Sequence, residues 1–250
     1  TDDLGCKYVS DDITIDLLNI PLNVDQRQLD SIKCHGNRTG SIEVNIIDGE
    51  APYRFNWTTG LENEKSVNHD TLSSLAAGTY RVTITDNKGC VGVSKPVSIQ
   101  QPDRLSHLLL NREDPTCYGD ADGRIGIYIT GGTYPYNYSW SNGMTTALID
   151  SLKAGQYILN ITDSFNCSYT TPVFTLTDPE LLEMNIQVTG TPANRSEGQI
   201  RITPKGGKTP YDVIWDQRIQ DFSQFEAFKL EAGTYRIILE DSVSCSLDTM

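Results

Sequence analysis

One pattern recurs three times along this chain, and it constrains the fold more than any other feature. The copies are Pro52-Tyr53-x-Phe55-x-Trp57, Pro135-Tyr136-x-Tyr138-x-Trp140 and Pro210-Tyr211-x-Val213-x-Trp215. They are offset by 83 and 75 residues. Self-similarity at a fixed period is typical of modules joined head to tail, here each about 78 residues long.

A second motif follows the first in every copy. It reads Leu-x-Ala-Gly-x-Tyr and ends at Tyr80, Tyr157 and Tyr235. The opening residues, Thr1 to Cys6, also align with Thr85 to Cys90. We therefore expect four segments: residues 1–18 as the last strand of a preceding repeat, and repeats at 19–102, 103–179 and 180–250, the third with its final strand truncated.

Composition narrows the classes of protein to which the chain can belong. A net charge of −13 and a pI of about 4.6 argue against a nucleic-acid partner, because phosphate binding needs clustered Lys and Arg. No run of about eighteen apolar residues occurs, so no membrane span is predicted in this segment. The start is not basic and then apolar, so the chain reads as an interior piece of a longer protein.

The middle copy reads as short strands without a helical period. Residues 124–130 alternate apolar and polar side chains, and residues 136–140 resume the alternation after a Gly-rich turn. Further strands are predicted at 147–152, at 157–161 and from 167 to about 177. At most about seven strands per module predict an all-β protein of tandem immunoglobulin-like or fibronectin-like antiparallel β-sandwich modules in a linear array.

Both recurring motifs fit the core of such a sandwich. A Trp on the third strand fills the space between the sheets, and a Tyr after a corner Gly donates its hydroxyl back to the backbone. The side chains assigned to the cores are Trp57, Trp140, Trp215, Tyr80, Tyr157 and Tyr235.

Six cysteines occupy matched positions in the repeats. Four follow an Asp turn and two precede an apolar strand: Cys6, Cys90, Cys167 and Cys245, then Cys34 and Cys117. The chain has no Cys-x-x-Cys spacing and no nearby His pair, which disfavours zinc. The pattern favours disulfides in an oxidising, extracytoplasmic setting.

The expected strand order bears on how these cysteines pair. Cys117 would lie between strands A and B, and Cys167 between F and G, at opposite poles about 23 Å apart and too far for a disulfide. If neighbouring modules are paired, Cys34, Cys117, Cys167 and Cys245 all have partners within this chain. Cys6 and Cys90 would then pair with modules upstream. Pairing within modules or across the linker remains open, because the strand order is itself inferred. The first prediction is Cys34 with Cys167 and Cys117 with Cys245.

Metal and catalytic chemistry have little support. The recurrent Asp after a strand, such as Asp163, fits turn capping better than calcium binding, and Asp120-Ala121-Asp122-Gly123 is only a fragment of a calcium loop. Asp120, Asp122 and Asp163 are therefore weak calcium candidates, and no other cofactor is predicted. The three histidines occupy unmatched positions beside no recurrent nucleophile, so no catalytic residue and no enzyme activity is predicted.

A longer succession of residues carries a family resemblance. It runs Cys117-x-Gly119-x-x-x-Gly123-x-Ile125, Gly131-Gly132-x-x-Pro135-Tyr136-x-Tyr138-x-Trp140-Ser141-Asn142-Gly143, Leu-x-Ala-Gly-x-Tyr and Thr162-Asp163 before Cys167. This closely resembles the SprB-type repeat of Bacteroidetes gliding adhesins and other large surface proteins, over nearly the whole chain. The first copy departs at Asp48-Gly49-Glu50, where the family has a double Gly, and the third lacks the leading Cys and has Val213.

The resemblance implies export by the type IX secretion route and display at the cell surface in long filamentous arrays used for adhesion and gliding. A second resemblance agrees with it. The Bacteroidetes O-glycosylation pattern, Asp then Ser or Thr then an aliphatic, Met or Thr residue, is matched at Ser31, Thr71, Ser151, Ser242 and Thr249.

The sequence thus predicts a non-catalytic structural segment of a repetitive extracellular surface adhesin or filament, acting as a stiff spacer or stalk. Its expected partners are other repeats of the same chain, with lateral self-assembly and surface glycans or substrata as further candidates. Two alternatives remain. One is the accessory region of a secreted enzyme, and the other is a carbohydrate-binding module array that uses exposed aromatics such as Tyr118, Tyr134 and Phe165.

Overall fold

The computed structural model describes residues 21–192 and 195–250, which form antiparallel strands and no helix. No described stretch therefore has the helical length and apolarity that a bilayer crossing needs. The chain divides into two compact units, Thr1–Asp103 and Arg104–Met250. The predicted tail segment, residues 1–18 with Cys6, lies outside the described residues.

The described part of unit 1 holds one sandwich, which we call sandwich 1. Its sheets run in the orders β1-β2-β5 and β4-β3-β7-β8, and β6 pairs with β9. These are the A-B-E and C′-C-F-G orders of an immunoglobulin-like sandwich, with F formed by β6 and β7 and G by β8 and β9. The strands are β1 (Val24–Asp30), β2 (Gly40–Ile46), β3 (Tyr53–Trp57), β4 (Glu62–Lys65), β5 (His69–Leu75), β6 (Gly78–Tyr80), β7 (Val82–Thr85), β8 (Val91–Val93) and β9 (Val97–Ile99).

Unit 2 repeats the A-B-E and C-F-G orders twice, as sandwich 2 and sandwich 3. Sandwich 2 has the sheets β10-β11-β13 and β12-β15-β16 with the pair β14-β17, and sandwich 3 has β18-β19-β21 and β20-β22-β23. The strands of sandwich 2 are β10 (Ser106–Glu113), β11 (Gly123–Thr130), β12 (Asn137–Trp140), β13 (Leu148–Leu152), β14 (Gly155–Tyr157), β15 (Leu159–Thr162), β16 (Ser168–Thr170) and β17 (Phe174–Leu176). Those of sandwich 3 are β18 (Glu183–Thr189), β19 (Gly198–Lys205), β20 (Asp212–Trp215), β21 (Glu226–Leu230), β22 (Ile237–Glu240) and β23 (Ser246–Thr249).

This architecture confirms the predicted fold class, with one correction. The strand predicted from 167 to about 177 is divided into β16 and β17, and the strand predicted at 157–161 is divided between β14 and β15. At the break, the Thr171 hydroxyl accepts a backbone N–H from β15 at 3.1 Å, and Pro172 has no N–H to donate. Ser94 accepts from β7 in the same way at 3.0 Å. In each case a side-chain hydroxyl takes the place of one hydrogen bond of the β-ladder, and the alternation of apolar residues continues across the break. The sequence therefore predicted one continuous strand where the structure has two.

Alternating inward side chains fill a separate apolar core in each sandwich. The three recurring tryptophans lie between the sheets, with exposed fractions of 1% for Trp57, 3% for Trp140 and 8% for Trp215. An indole of this size removes a large apolar area from water in each module. The repeat therefore places one large aromatic plug in every core.

The corner tyrosines are half-buried at the edges of these cores rather than fully inside them. In each module the hydroxyl donates to the carbonyl oxygen four residues earlier in the chain. The pairs are Tyr80 to Ala76 at 2.9 Å, Tyr157 to Lys153 at 2.8 Å and Tyr235 to Glu231 at 2.9 Å. The Leu-x-Ala-Gly-x-Tyr motif thus fixes the corner between strands E and F.

Candidate functional site

A buried aspartate ties two turns together at one pole of each sandwich. In sandwich 2, Oδ1 of Asp163 accepts the backbone N–H groups of Phe165 at 2.8 Å and Cys167 at 2.9 Å. Its Oδ2 accepts the N–H of Thr133 at 3.0 Å. The F–G turn and the B–C turn are therefore held by a single carboxylate that is 1% exposed.

Asp86 in sandwich 1 and Asp241 in sandwich 3 hold the same turns. Burial alone would raise the pKa of each carboxyl, but three backbone N–H groups stabilise the carboxylate and keep the pKa below its ordinary value. The donors, at 2.8–3.2 Å, are Cys90, Lys88 and Glu50 for Asp86, and Cys245, Val243 and Lys208 for Asp241.

The three calcium candidates do not converge on one site. Asp163 lies at the B–C and F–G pole, whereas Asp120 and Asp122 lie in the A–B loop at the other end of β11. Oδ1 of Asp122 accepts the N–H of Thr116 at 2.9 Å. Within residues 21–192 and 195–250, no group of three His, Cys, Asp or Glu side chains is arranged to hold a metal ion. The recurrent Asp instead caps turns through backbone N–H groups.

A disulfide joins Cys117 in the A–B loop of sandwich 2 to Cys245 in the F–G turn of sandwich 3. The two Cα atoms are 5.5 Å apart, and the residues are separated by 128 positions in sequence. The bond packs with Leu182 and Leu239 in a small apolar cluster. It links successive sandwiches of unit 2, so the alternatives that paired Cys117 within its own module or across the preceding linker are wrong.

The remaining described cysteines differ in their chemical state. Cys34 and Cys167 are both disulfide-bonded. Cys34 lies in the A–B loop of sandwich 1, at the repeat position of Cys117, and Cys167 lies in an F–G turn, at the repeat position of Cys245. Cys90, in the F–G turn of sandwich 1, is a half-buried free thiol. The F–G turn therefore holds a disulfide-bonded cysteine in sandwiches 2 and 3 and a free thiol in sandwich 1.

Sequence reasoning missed a buried charged cluster in sandwich 1. The carboxylate of Asp70 is 1% exposed and accepts the indole N–H of Trp57 at 2.9 Å and an amide N–H of Asn63 at 3.1 Å. The Lys65 ammonium lies 2.5 Å from its other oxygen. Burial raises the pKa of Asp70, but these three donors outweigh it and the pKa lies below its ordinary value. No repeat signal marked Asp70, because the other two modules have no acidic residue there.

The candidate glycosylation hydroxyls are placed mainly at the surface. Four are exposed and the fifth is half-buried in β23; in order they are Ser31, Thr71, Ser151, Ser242 and Thr249. The aliphatic residue that follows is buried at Ile32, Leu72 and Leu152. At these three sites the apolar part of the motif is also required by core packing.

The aromatic side chains named for sugar stacking are separated in space. Tyr134 is 80% exposed in the B–C turn and meets the ring of Tyr136 edge-on at 5.9 Å. Phe165 lies in the neighbouring F–G turn, but Tyr118 lies in the A–B loop at the opposite pole of sandwich 2. The three rings therefore do not form one stacking platform.

Comparison with solved structures returns tandem-domain proteins at low identity. The titin I-band fragment I67-I69 is 14% identical, covers 92% of this chain and 97% of its own, and has a TM-score of 0.41. The three N-terminal domains of the Highly Immunogenic Outer Capsid protein of bacteriophage RB49 are 14% identical, with 91% and 94% covered and a TM-score of 0.39. At these scores the likeness carries no argument about this chain. No curated protein sequence matches it.

One family model matches two parts of the chain. The model described as the SprB repeat matches twice, at residues 28–61 and 110–145. Each match begins in strand A and ends just beyond strand C, so each includes a B–C turn, the Pro-Tyr motif and the core Trp. The two segments occupy the same part of sandwiches 1 and 2, which confirms the suspected resemblance. The chain is thus similar to the SprB repeat over corresponding parts of two of its three modules.

Proposed function

We propose that the chain is a non-catalytic structural segment of a repetitive extracellular surface adhesin or filament, in which it acts as a stiff spacer or stalk. The observation that carries the proposal is the disulfide between Cys117 and Cys245. A covalent bond between loops of successive sandwiches keeps them together when the chain is pulled. Disulfides of this kind persist in oxidising compartments outside the cytoplasm, which supports an extracellular location.

Repeat equivalence extends the same linkage along the chain. Cys34 has the position of Cys117, Cys167 has the position of Cys245, and both are disulfide-bonded. In the proposed stalk these two cysteines pair with each other, and Cys90 pairs with the A–B loop cysteine of a preceding module. Non-reducing peptide mapping of protein from its native source tests this, and a bond from Cys34 to Cys90 would contradict it.

The mechanical role of the spacer is tested by stretching single molecules held at their two ends. With its disulfide intact, the loop of 128 positions between Cys117 and Cys245 is shielded from extension. Reduction releases this loop and should lengthen the extended chain by roughly 400 Å or more, at about 3.4 Å per residue. Cys90→Ser is the matched control and should leave the oxidised trace unchanged. Equal extension with and without reductant would overturn this mechanical role.

Display at the cell surface, export by the type IX route and use in gliding are supported by the SprB repeat matches. Antibodies raised against residues 104–250 should label intact cells of the source organism, and labelling only after permeabilisation would contradict display. Mass spectra of the same material test the glycan proposal. Sugars are expected on the exposed hydroxyls of Ser31, Thr71, Ser151 and Ser242.

A further inference from the structure

Strand C′ of sandwich 1 turns an amide and an amine toward the core. Asn63 and Lys65 are two positions apart on β4, so their side chains lie on the same face of the strand. The register places Asn63 opposite Phe55 and Lys65 opposite Tyr53, which are both buried. The other two residues of β4 are exposed, whereas Asn63 and Lys65 are half-buried. This face of β4 therefore borders the space between the sheets.

A buried carboxylate from the facing sheet meets both groups. Asp70 lies on β5, in the sheet β1-β2-β5, and its side chain is directed across the sandwich to β4. Its Oδ1 lies 2.5 Å from Nζ of Lys65, and its Oδ2 accepts an N–H from Nδ2 of Asn63 at 3.1 Å. The indole N–H of Trp57 donates to the same Oδ2 at 2.9 Å and fixes the carboxylate. One carboxylate thus holds an amine and a primary amide beside each other.

These three groups have the chemistry of a nucleophile, an electrophile and a base. A lysine amine is a nucleophile once it has lost a proton, and the Cγ atom of an asparagine amide is a carbonyl carbon that it can attack. Transfer of a proton from Nζ of Lys65 to Oδ1 of Asp70 converts the ion pair into a neutral amine and a neutral carboxyl, which cost less to bury than charges. The ion pair is the major form, but a minor neutral form suffices for a reaction that occurs once in each molecule.

We propose that Lys65 and Asn63 react with each other to form an intramolecular amide cross-link, with Asp70 as the proton carrier. The bond from Nζ of Lys65 to Cγ of Asn63 forms, and the bond from Cγ to Nδ2 of Asn63 breaks. Of the three protons on Nζ, one stays in the new amide and two pass through Asp70 to Nδ2, which leaves as ammonium. Asp70 ends as a carboxylate, and the step needs no oxidant and no other reactant.

The surroundings of the three groups favour this reaction in sandwich 1 alone. Folding holds the reacting groups together, which replaces a chance encounter by a reaction within one site. The Lys65 side chain is 38% exposed, so ammonium has a path to water and its escape makes the step irreversible. In the other modules Ala147 and Phe225 stand at the position of Asp70, and no described strand corresponds to β4. The cross-link is a modification beyond the spacer role and does not depend on it.

The test is the mass of the folded chain after incubation at neutral pH and reduction of its disulfides. The cross-linked chain should be lighter than its sequence requires by one molecule of ammonia. Trypsin cleaves after Lys65 only while the amine is free, so a peptide of residues 55–81 that has lost ammonia should replace the peptides 55–65 and 66–81. A chain held unfolded in urea should keep its full mass. Full mass and complete cleavage after Lys65 in the folded chain would overturn the proposal.

Three variants assign the roles. Lys65→Arg keeps the positive charge beside Asp70 but has no amine that can lose its proton, so it should keep its full mass. Asp70→Asn removes the proton carrier and should also keep its full mass, with Lys65→Arg deciding the matter if this variant does not fold. Lys88→Arg, which changes an exposed ion pair with Glu50 in the same sandwich, is the matched control and should lose ammonia like the unaltered chain. Loss of ammonia that persists in Lys65→Arg, or loss of water from a bond to Asp70 itself, would overturn the assignment.

Discussion

The indole N–H of Trp57 donates to the buried carboxylate of Asp70 at 2.9 Å, inside the core of sandwich 1. Trp140 and Trp215, at the same repeat position, donate instead to the backbone carbonyl groups of Thr146 and Ser223. The recurring core tryptophan thus uses two kinds of acceptor. The charged version is tolerated because Lys65 lies 2.5 Å from the same carboxylate and reaches water at its other side.

Removing the acceptor from this pair should destabilise sandwich 1 in particular. Asp70→Ala leaves the indole and the ammonium of Lys65 without their partner and should cost about 2–4 kcal/mol of unfolding free energy. Urea unfolding followed by the total fluorescence of Trp57, Trp140 and Trp215, compared with the unaltered chain, measures it. Asp25→Asn, an exposed change on β1, is the control and should shift the midpoint little. A midpoint for Asp70→Ala equal to that of the control would show that the buried carboxylate contributes no stability.

The capping aspartates make stability depend on pH. The pKa of Asp241 is below its ordinary value in the folded chain, so below about pH 4 the unfolded chain takes up protons first. The stability that Asp241 contributes is therefore present above about pH 4 and is lost as the pH falls through the folded pKa. Thermal unfolding from pH 7 to pH 2 should show this decline.

The variant Asp241→Asn isolates that contribution. It should lower stability at pH 7 by roughly 1–3 kcal/mol, because buried N–H donors lose a charged acceptor, and should flatten the acid limb of the curve. Asp212→Asn, exposed on β20 of the same sandwich, is the matched control. An acid limb as steep in Asp241→Asn as in the unaltered chain would show that other carboxylates cause the decline.

The disulfide between Cys117 and Cys245 should stabilise the folded state of unit 2. Replacing both Cys117 and Cys245 by Ser should destabilise the chain by roughly 2–4 kcal/mol, because the unfolded state regains the freedom of a loop of 128 positions. Urea unfolding of the variant with and without reductant measures it. Cys90→Ser is the control, since Cys90 is a free thiol. A loss of stability in the control as large as in the double variant would point to side-chain packing rather than to the bond.

The spacer proposal and a carbohydrate-binding array give opposite results on a glycan panel. The spacer predicts no saturable binding, and Tyr134→Ala should leave both this result and the unfolding midpoint unchanged, because Tyr134 is 80% exposed. Tyr128→Ala, another exposed ring but on β11, is the matched control. Binding that is lost in Tyr134→Ala and kept in Tyr128→Ala would favour sugar stacking over the spacer.

Most of the fold was accessible from local sequence signals. The period of the motifs gave the modules, the alternation along residues such as 124–130 gave strands, and the Asp and Tyr motifs gave the turns and corners. Each of these depends on residues within a few positions of one another, and the repeat shows each signal three times. The split of strands F and G was not predicted, because Thr171 and Ser94 replace a ladder bond with a hydroxyl that has no distinct sequence signature.

The sequence by itself determined that this chain is a tandem array of antiparallel sandwiches, each with a Trp in its core. It also placed Cys117 and Cys167 at opposite poles of their module. Only the tertiary structure decided that Cys117 bonds to Cys245 and that Trp57 meets Asp70. The reason is physical: alternation and turn chemistry act between neighbouring residues, whereas these contacts depend on which distant loops and edges the packed sheets bring together.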